Sequence, residues 1–336
     1  MRAARFHPDE GLEIEELPRP TVGPGEVLVR VEGAGLCHSD PHILDGRLPL
    51  AGPTVLGHEN AGVVAETGAG VDVEPGTTVA VFGGWGCGSC RVCARGEDQL
   101  CDLSNWVGVG HDGGYAEYLQ VPAERYVLPI GDLDPVAAAP LTDAALTPYR
   151  AVRTAAAELS PADAVVLAGI GGLGHYGVQL ARLATGARIV AVDLSSEKLD
   201  RASELGADAT VNASEEHVPR AVRAAAGDAR IGAVVDFVGS DATLQWATNV
   251  LGTGGRLVLA GIGEGQVPFS WNPLLGSEVS FHTVQWGSLP ELRAVLSLAR
   301  ADRLEIEVET IGFDELSATL DRLDAGEVEG RAVLTP

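Results

Sequence analysis

The sequence predicts an α/β protein in two parts, a curved β-rich domain joined to a doubly wound parallel sheet. Three observations predict this. The first 130 residues are short Val- and Gly-rich runs broken by Gly and Pro, the texture of a compact β domain. From Asp134 the composition shifts to Ala-rich helical stretches alternating with wholly apolar strands. Between two of those strands lies a glycine string, Gly169-Ile170-Gly171-Gly172-Leu173-Gly174. At 336 residues the chain is long enough for two domains that each bury a core.

In the β-rich part, Val27-Leu28-Val29-Arg30-Val31 reads as a strand after a turn at Val22 to Gly25. The stretch Cys37 to His42 then begins a short helix that stops near Gly46. It holds a thiol, a hydroxyl, a carboxylate and two imidazoles in six positions (Cys37, His38, Ser39, Asp40, His42). About twenty residues later Gly57-His58-Glu59 adds an imidazole and a carboxylate in a glycine-flanked turn. A thiolate and an imidazole on two separate segments are half of a tetrahedral zinc site, and a catalytic zinc needs only one more protein ligand. Asp40 and Glu59 are placed to orient ligands, and Ser39 and His42 to pass a proton. Scattered polar loop residues are the competing account.

The cysteines Cys87, Cys90, Cys93 and Cys101 follow the spacing C-x2-C-x2-C-x7-C. Four thiolates so spaced close around one zinc and leave no position for water, which makes the site structural. An iron–sulfur cluster is the less favoured alternative, and four free thiols the least.

In the second part, Ala164 to Ala168 is an apolar strand, the glycine string follows at once, and a helix is expected from Tyr176 to Ala184. The next strand, Ala187 to Val192, ends on Asp193, nineteen positions after Gly174. Strand, G-x-G-x-x-G turn, helix and a terminal acid form a dinucleotide fingerprint. The glycines admit a pyrophosphate to the backbone at the helix N-terminus, and Asp193 accepts from the ribose diol. That acid would repel a 2′-phosphate and no arginine follows it, so NAD is expected over NADP. Strand ends at Val238-Gly239 and Ala260-Gly261-Ile262 should line the cofactor crevice. A last strand is read over 278–286, then helices over 290–301 and 314–325 and a strand over 331–334 that returns to the first domain.

Charge narrows the partners. The net charge is −24, from 23 basic and 47 acidic residues, and Lys198 is the single lysine. Such a surface repels nucleic acid and anionic membranes. GC-rich coding explains the missing lysines, whereas the twofold excess of acids favours a halophilic host. No apolar run reaches membrane-span length and Met1 to Phe6 lack a signal-peptide core, so a cytoplasmic protein is expected.

With both cysteine-containing motifs and the fingerprint read, the whole chain resembles the zinc-containing medium-chain alcohol dehydrogenases. It is most similar to the microbial secondary-alcohol enzymes, in which the pattern of Pro140 to Tyr149 (Pro-Leu-Thr-Asp-Ala-x-Leu-Thr-Pro-Tyr) occurs. The resemblance implies a GroES-like catalytic domain over 1–143 with both zinc sites, a Rossmann NAD domain over 144–286, and a return to the catalytic domain over 287–336. It also implies reversible oxidation of primary or secondary alcohols to aldehydes or ketones, and a homodimer or homotetramer; the apolar strand over 279–286 is itself read as a sheet edge suited to subunit pairing. Cys37, His58 and Asp143 would hold the catalytic zinc, with Glu59 entering transiently and Asp40 orienting His58. Ser39 would take the substrate proton and pass it through the ribose to His42. Thr147 and Leu173 would press on the nicotinamide, Lys198 would reach the adenosine ribose, and Arg331 the pyrophosphate.

Two departures stand out: Asp143 replaces a cysteine present in many relatives, and His38 an arginine. Trp85, Trp106, Trp271 and Trp286 are pocket-wall candidates, Trp85 first among them, with core filling the alternative for each. The rivals are a zinc-free quinone or enoyl reductase of the same superfamily, and a zinc-clustered binding module.

Overall fold

The computed structural model describes residues 1–267 and 278–336; Trp271, among the pocket-wall candidates, lies outside them. The chain divides into two units, Met1–Leu146 with Trp286–Pro336, and Thr147–Gln285.

The first unit is built on a seven-stranded sheet. Its central strand, Val27–Gly35, is buried over most of its length and pairs antiparallel with Glu59–Thr67 on one side. On the other edge it takes Tyr118–Val121 at its start and Arg331–Leu334 at its end. Two register shifts, between Leu28 and Val29 and between Val31 and Gly33, bend it. Gly35 lies opposite both Glu59 and Val333. Three distant segments therefore meet at the strand's end, two residues before Cys37. The expected helix after Cys37 is a short one, Ser39–Leu44, and the chain turns at Gly46 with φ +82°.

The second unit is a six-stranded, all-parallel sheet. In spatial order its strands are Ala209–Asn212, Arg188–Asp193, Asp163–Ala168, Arg230–Asp236, Arg256–Leu259 and Ser280–Thr283. Numbered along the chain this is 3-2-1-4-5-6, the doubly wound order whose direction reverses between the first and fourth strands. Asp163–Ala168 is buried at every position, which explains its unbroken apolar character. Val166, Val190, Val234 and Leu257 pack with Leu244 and Trp246 in the core. The last strand is shorter than the 278–286 expected, spanning Ser280–Thr283. Among the described residues no helix is long and apolar enough to cross a membrane.

Asp163 closes the start of the central strand. Its carboxylate accepts from Ser160 N and Oγ, both at 2.8 Å, and from Arg230 Nε at 2.7 Å. Burial works to raise this carboxyl, but Arg230 and Ser160 outweigh it and hold it below the usual range. A carboxyl depressed on folding adds stability above its unfolded pKa of about 3.9 and loses it as pH falls through the folded value. Asp163→Asn should therefore lower the thermal midpoint at pH 7, with a smaller deficit at pH 3; equal deficits at both would refute this.

Candidate active site

Cys37, His58, Glu59 and Asp143 bring one donor atom each to within 4.8 Å of one another. Cys37 follows the end of the central strand. His58 follows Gly57, whose φ of +95° only glycine adopts readily and whose missing side chain leaves room for the Tyr115 ring. Asp143 follows a 3-10 turn, Ala139–Thr142, in which Thr142 Oγ1 donates to Ala139 O at 2.8 Å. The Cys37 Sγ to Asp143 Oδ2 distance is 3.7 Å, and His58 Nε2 to Asp143 Oδ2 is 3.5 Å. Tetrahedral zinc with bonds of about 2.0–2.3 Å sets its ligands roughly 3.3–3.8 Å apart, so the donor set fits. The field fits too. Burial opposes a charge on His58, yet Cys37 and Asp143 raise its pKa well above the ordinary value. A thiol, an imidazole and two carboxylates gathered this closely suit a cation.

Around these donors Asp40, Tyr115, Glu59 and Arg331 are buried, while Ser39 and His42 are half-buried. Asp40 Oδ2 accepts from Cys37 N at 2.9 Å and from Tyr115 Oη at 2.6 Å. Its Oδ1 faces His58 Nδ1 at 3.7 Å, which places Asp40 on the expected side of the imidazole but beyond hydrogen-bond length. Ser39 Oγ is 3.7 Å from Cys37 Sγ, and His42 lies three residues on along the same short helix. Glu59 is fully buried and paired with Arg331, whose Nε donates to Oε2 at 3.0 Å and whose Nη2 engages Oε1. Burial pushes the Glu59 carboxyl up, and Arg331 pulls it back. Gly35 makes this pair possible, because a side chain there would collide with the Glu59 carboxylate.

Two of the candidate residues have well-defined partners here. Arg331, expected at a pyrophosphate, is 1 % exposed and holds Glu59 beside the metal donors. It stands two residues before Val333, which pairs with Gly35, and so falls beyond the end of the central strand. The leading pocket-wall candidate was Trp85, but its indole donates to Phe82 O at 2.6 Å and its ring meets His111 edge-on in the core. Among the described residues, the tryptophan at the metal donors is Trp286. Its ring stands edge-on to His58 with centroids 5.8 Å apart, and its Nε1 donates to Thr142 O at 2.8 Å, beside Asp143. It holds φ +52°, a strained conformation for so bulky a residue. Trp106 meets the Trp286 ring edge-on at 6.2 Å.

The four cysteines form a second cluster. Cys90 Sγ lies 3.4 Å from Cys93 Sγ and 3.8 Å from Cys101 Sγ, and Cys87 Sγ is 4.0 Å from Cys93 Sγ. Four thiolates on one zinc stand about 3.8 Å apart, so this set fits a closed structural ion. Cys87 N and Leu103 N both point at Cys101 Sγ at 3.4 Å. Asp98 ties the lobe to Arg125 at 2.6 Å and Tyr126 at 3.1 Å.

In the second unit the fingerprint glycines do distinct jobs. Gly169 has φ +84°, and a Cβ on it would lie 2.5 Å from Val238 Cγ2. A side chain on Gly174, the first residue of the helix Gly174–Ala184, would strike Gly169 O. Gly171 faces open space, the approach a pyrophosphate requires. Asp193 is pinned by Ile170 N at 2.6 Å on Oδ2 and Ser195 N at 3.0 Å on Oδ1. Lys198 stands in the first turn of the next helix, Ser196–Glu204, capped by Ser195. Thr147 is buried in the helix Leu146–Ala156, and Leu173 and Gly172 precede the Gly174 helix. Asp236, which the sequence did not single out, accepts from Val238 N and Gly239 N at 2.8 and 3.0 Å. It thereby shapes the turn that packs against Gly261. Val238 and Ile262 are exposed apolar side chains at these strand ends, with Ala260 between them in sequence.

Comparison with known proteins agrees with both halves. The Alcohol dehydrogenase GroES-like domain family matches residues 23–132, and the Zinc-binding dehydrogenase family residues 172–301. An NAD-dependent alcohol dehydrogenase of Sulfurisphaera tokodaii is 35 % identical over the full length of both chains. The crystal structure of an alcohol dehydrogenase from Aeropyrum pernix superposes with a TM-score of 0.94 at 38 % identity, covering 100 % of both chains. An acetophenone reductase of Geotrichum candidum, solved with NAD, gives 0.88 at 31 % identity, covering 100 % of this chain and 97 % of its own. The chain belongs to the zinc-binding medium-chain alcohol dehydrogenases.

Removing Arg331 tests the buried pair. Arg331→Met should cost about 3–5 kcal/mol in urea unfolding, because the Glu59 carboxylate is left buried without its partner. Adding Glu59→Gln should restore part of that loss; an Arg331→Met protein as stable as the parent would show that the pair holds nothing.

Proposed function

We propose that this chain catalyses reversible, NAD-dependent oxidation of primary or secondary alcohols to aldehydes or ketones. The observation that supports it best is the Cys37, His58 and Asp143 donor set, one ligand short of a tetrahedron and flanked by a hydroxyl. Zinc bound there supplies Lewis acidity at the alcohol oxygen, and the nicotinamide supplies the hydride acceptor. Ser39 takes the alcohol proton and His42 carries it toward solvent, the two standing one helical turn apart. Glu59 stands by as an alternative fourth ligand, restrained by Arg331. Trp286 and Trp106 wall the substrate side of His58. Asp193, fixed by two backbone N–H groups, selects a free ribose diol over a 2′-phosphate, which supports NAD. Gly169, Gly171, Gly172 and Gly174 receive the pyrophosphate, Lys198 the adenosine ribose, and Thr147 and Leu173 the nicotinamide. The acetophenone reductase among the relatives supports ketones as well as aldehydes.

Elemental analysis should find two zinc ions per chain, and small alcohols should drive NADH formation. Cys37→Ser and His58→Ala should abolish turnover. Ser39→Ala should lower kcat by about 10²–10⁴ with both zincs retained, because only proton transfer is lost. One zinc and no alcohol oxidation would instead bring forward a quinone or enoyl reductase without a catalytic zinc.

The net charge of −24 supports a halophilic, cytoplasmic setting. Molar salt shortens the screening length from about 10 Å to about 3 Å and relieves repulsion among the surface carboxylates. The unfolding midpoint should rise from 0.1 M to molar KCl; an unchanged midpoint would leave the acidity without a role in salt tolerance. A homodimer or homotetramer is proposed on family grounds, with Ser280–Thr283 as the edge strand that would pair.

A further inference from the structure

Asp40 and His58 face each other with one atom each left over. Asp40 Oδ1 and His58 Nδ1 are both buried without a hydrogen-bond partner, and they lie 3.7 Å apart. The other Asp40 oxygen is engaged twice, by Cys37 N at 2.9 Å and by Tyr115 Oη at 2.6 Å. Tyr115 has no exposure, and Asp40 none. The tyrosine ring occupies the space that a side chain on Gly57 would fill, so it is wedged against the residue before His58. Its hydroxyl also lies 3.2 Å from Gly35 O, at the strand end that leads to Cys37. A hydroxyl has one proton to donate. The shorter contact, to a charged carboxylate, takes it.

We infer that Tyr115 is a positioning residue for the catalytic metal site: its hydroxyl locks the Asp40 carboxylate so that Oδ1 faces His58 Nδ1 and favours the ring proton on that nitrogen, leaving Nε2 as the metal donor. The logic is a matter of counting. With Oδ2 saturated by Cys37 N and Tyr115, only Oδ1 remains for the imidazole, and a carboxylate that cannot rotate presents it in one direction. A neutral imidazole carries one ring proton, so holding it on Nδ1 frees the Nε2 lone pair, which faces Asp143 at 3.5 Å. One hydroxyl thus reaches two ligands, Cys37 through its backbone N–H and His58 through its tautomer. The inference rests on the reading of Cys37, His58 and Asp143 as zinc ligands.

The test is zinc release into excess chelator, followed site by site, together with the visible spectrum of the protein carrying cobalt in the catalytic site. Tyr115→Phe keeps the ring against Gly57 and removes only the hydroxyl. It should release the catalytic zinc about 10–100-fold faster, the range typical of outer-sphere partners, and alter the cobalt spectrum, while the four-cysteine zinc leaves at its parental rate. Asp40→Asn, with Tyr115 intact, sets an amide donor against the imidazole N–H and should accelerate release at least as much. It carries the test if the phenylalanine variant does not fold. The double variant should be no worse than the worse single variant, because both act through one carboxylate. Parental release rates and an unchanged cobalt spectrum in either single variant overturn the inference, as does equal acceleration at both zinc sites, which would mark a loss of general stability. A parent protein holding only the four-cysteine zinc would overturn the underlying ligand assignment instead.

Discussion

The ion pair between Glu59 and Arg331 is the constraint on which the first unit turns. Two full charges withdrawn from water are costly unless they find each other, and here the two are fully buried and paired directly. Meeting that condition requires the strand Arg331–Leu334 to lie beside Val27–Gly35, and Gly35 to carry no side chain. Once those strands are in register, Cys37 emerges two residues further on, opposite the turn that bears His58. The metal donors are thus placed by strand pairing, with the loops that carry them only a few residues long.

A second layer of buried polar groups then narrows the freedom of each donor. Asp40 and Tyr115 act on Cys37 and His58, while Trp286 spans His58 and the carbonyl before Asp143. The nucleotide unit uses a different device. There glycines allow close approaches, of Gly169 to the Val238 side chain and of Gly239 to the Gly261 backbone, that bring loop ends together. Carboxylates at strand ends, Asp193 and Asp236, pin those loops through backbone N–H groups. Both units place rigid polar anchors at strand termini and keep the intervening segments short.

Much of this was legible in the sequence where chemistry depends on local spacing. The four cysteines, the Cys37 and His58 segments and the glycine string each declare themselves within a dozen residues. Asp143 was legible only through family resemblance, since nothing local marks it as a ligand. The pairing of Arg331 with Glu59 and of Tyr115 with Asp40 was not, because each joins distant parts of the chain: Arg331 meets a partner 272 positions away, and Tyr115 an aspartate 75 positions away. Among the tryptophans, Trp85 was favoured for its nearness in sequence to the cysteine lobe. Its indole donates to Phe82, whereas Trp286 comes from the part of the chain that follows the nucleotide unit in sequence.

That interrupted order of the chain has a consequence for biosynthesis. The nucleotide unit is contiguous, so every contact within it is available once Gln285 has been made. The catalytic unit is begun first yet completed last, because Glu59 must wait for Arg331 while the whole intervening unit is translated. During that interval Glu59 lacks its buried counter-charge and the Val27–Gly35 edge lacks its final partner. A nascent chain stalled between those two points would expose an unpaired strand end beside a half-built metal site, a target for a chaperone or a protease rather than a working enzyme.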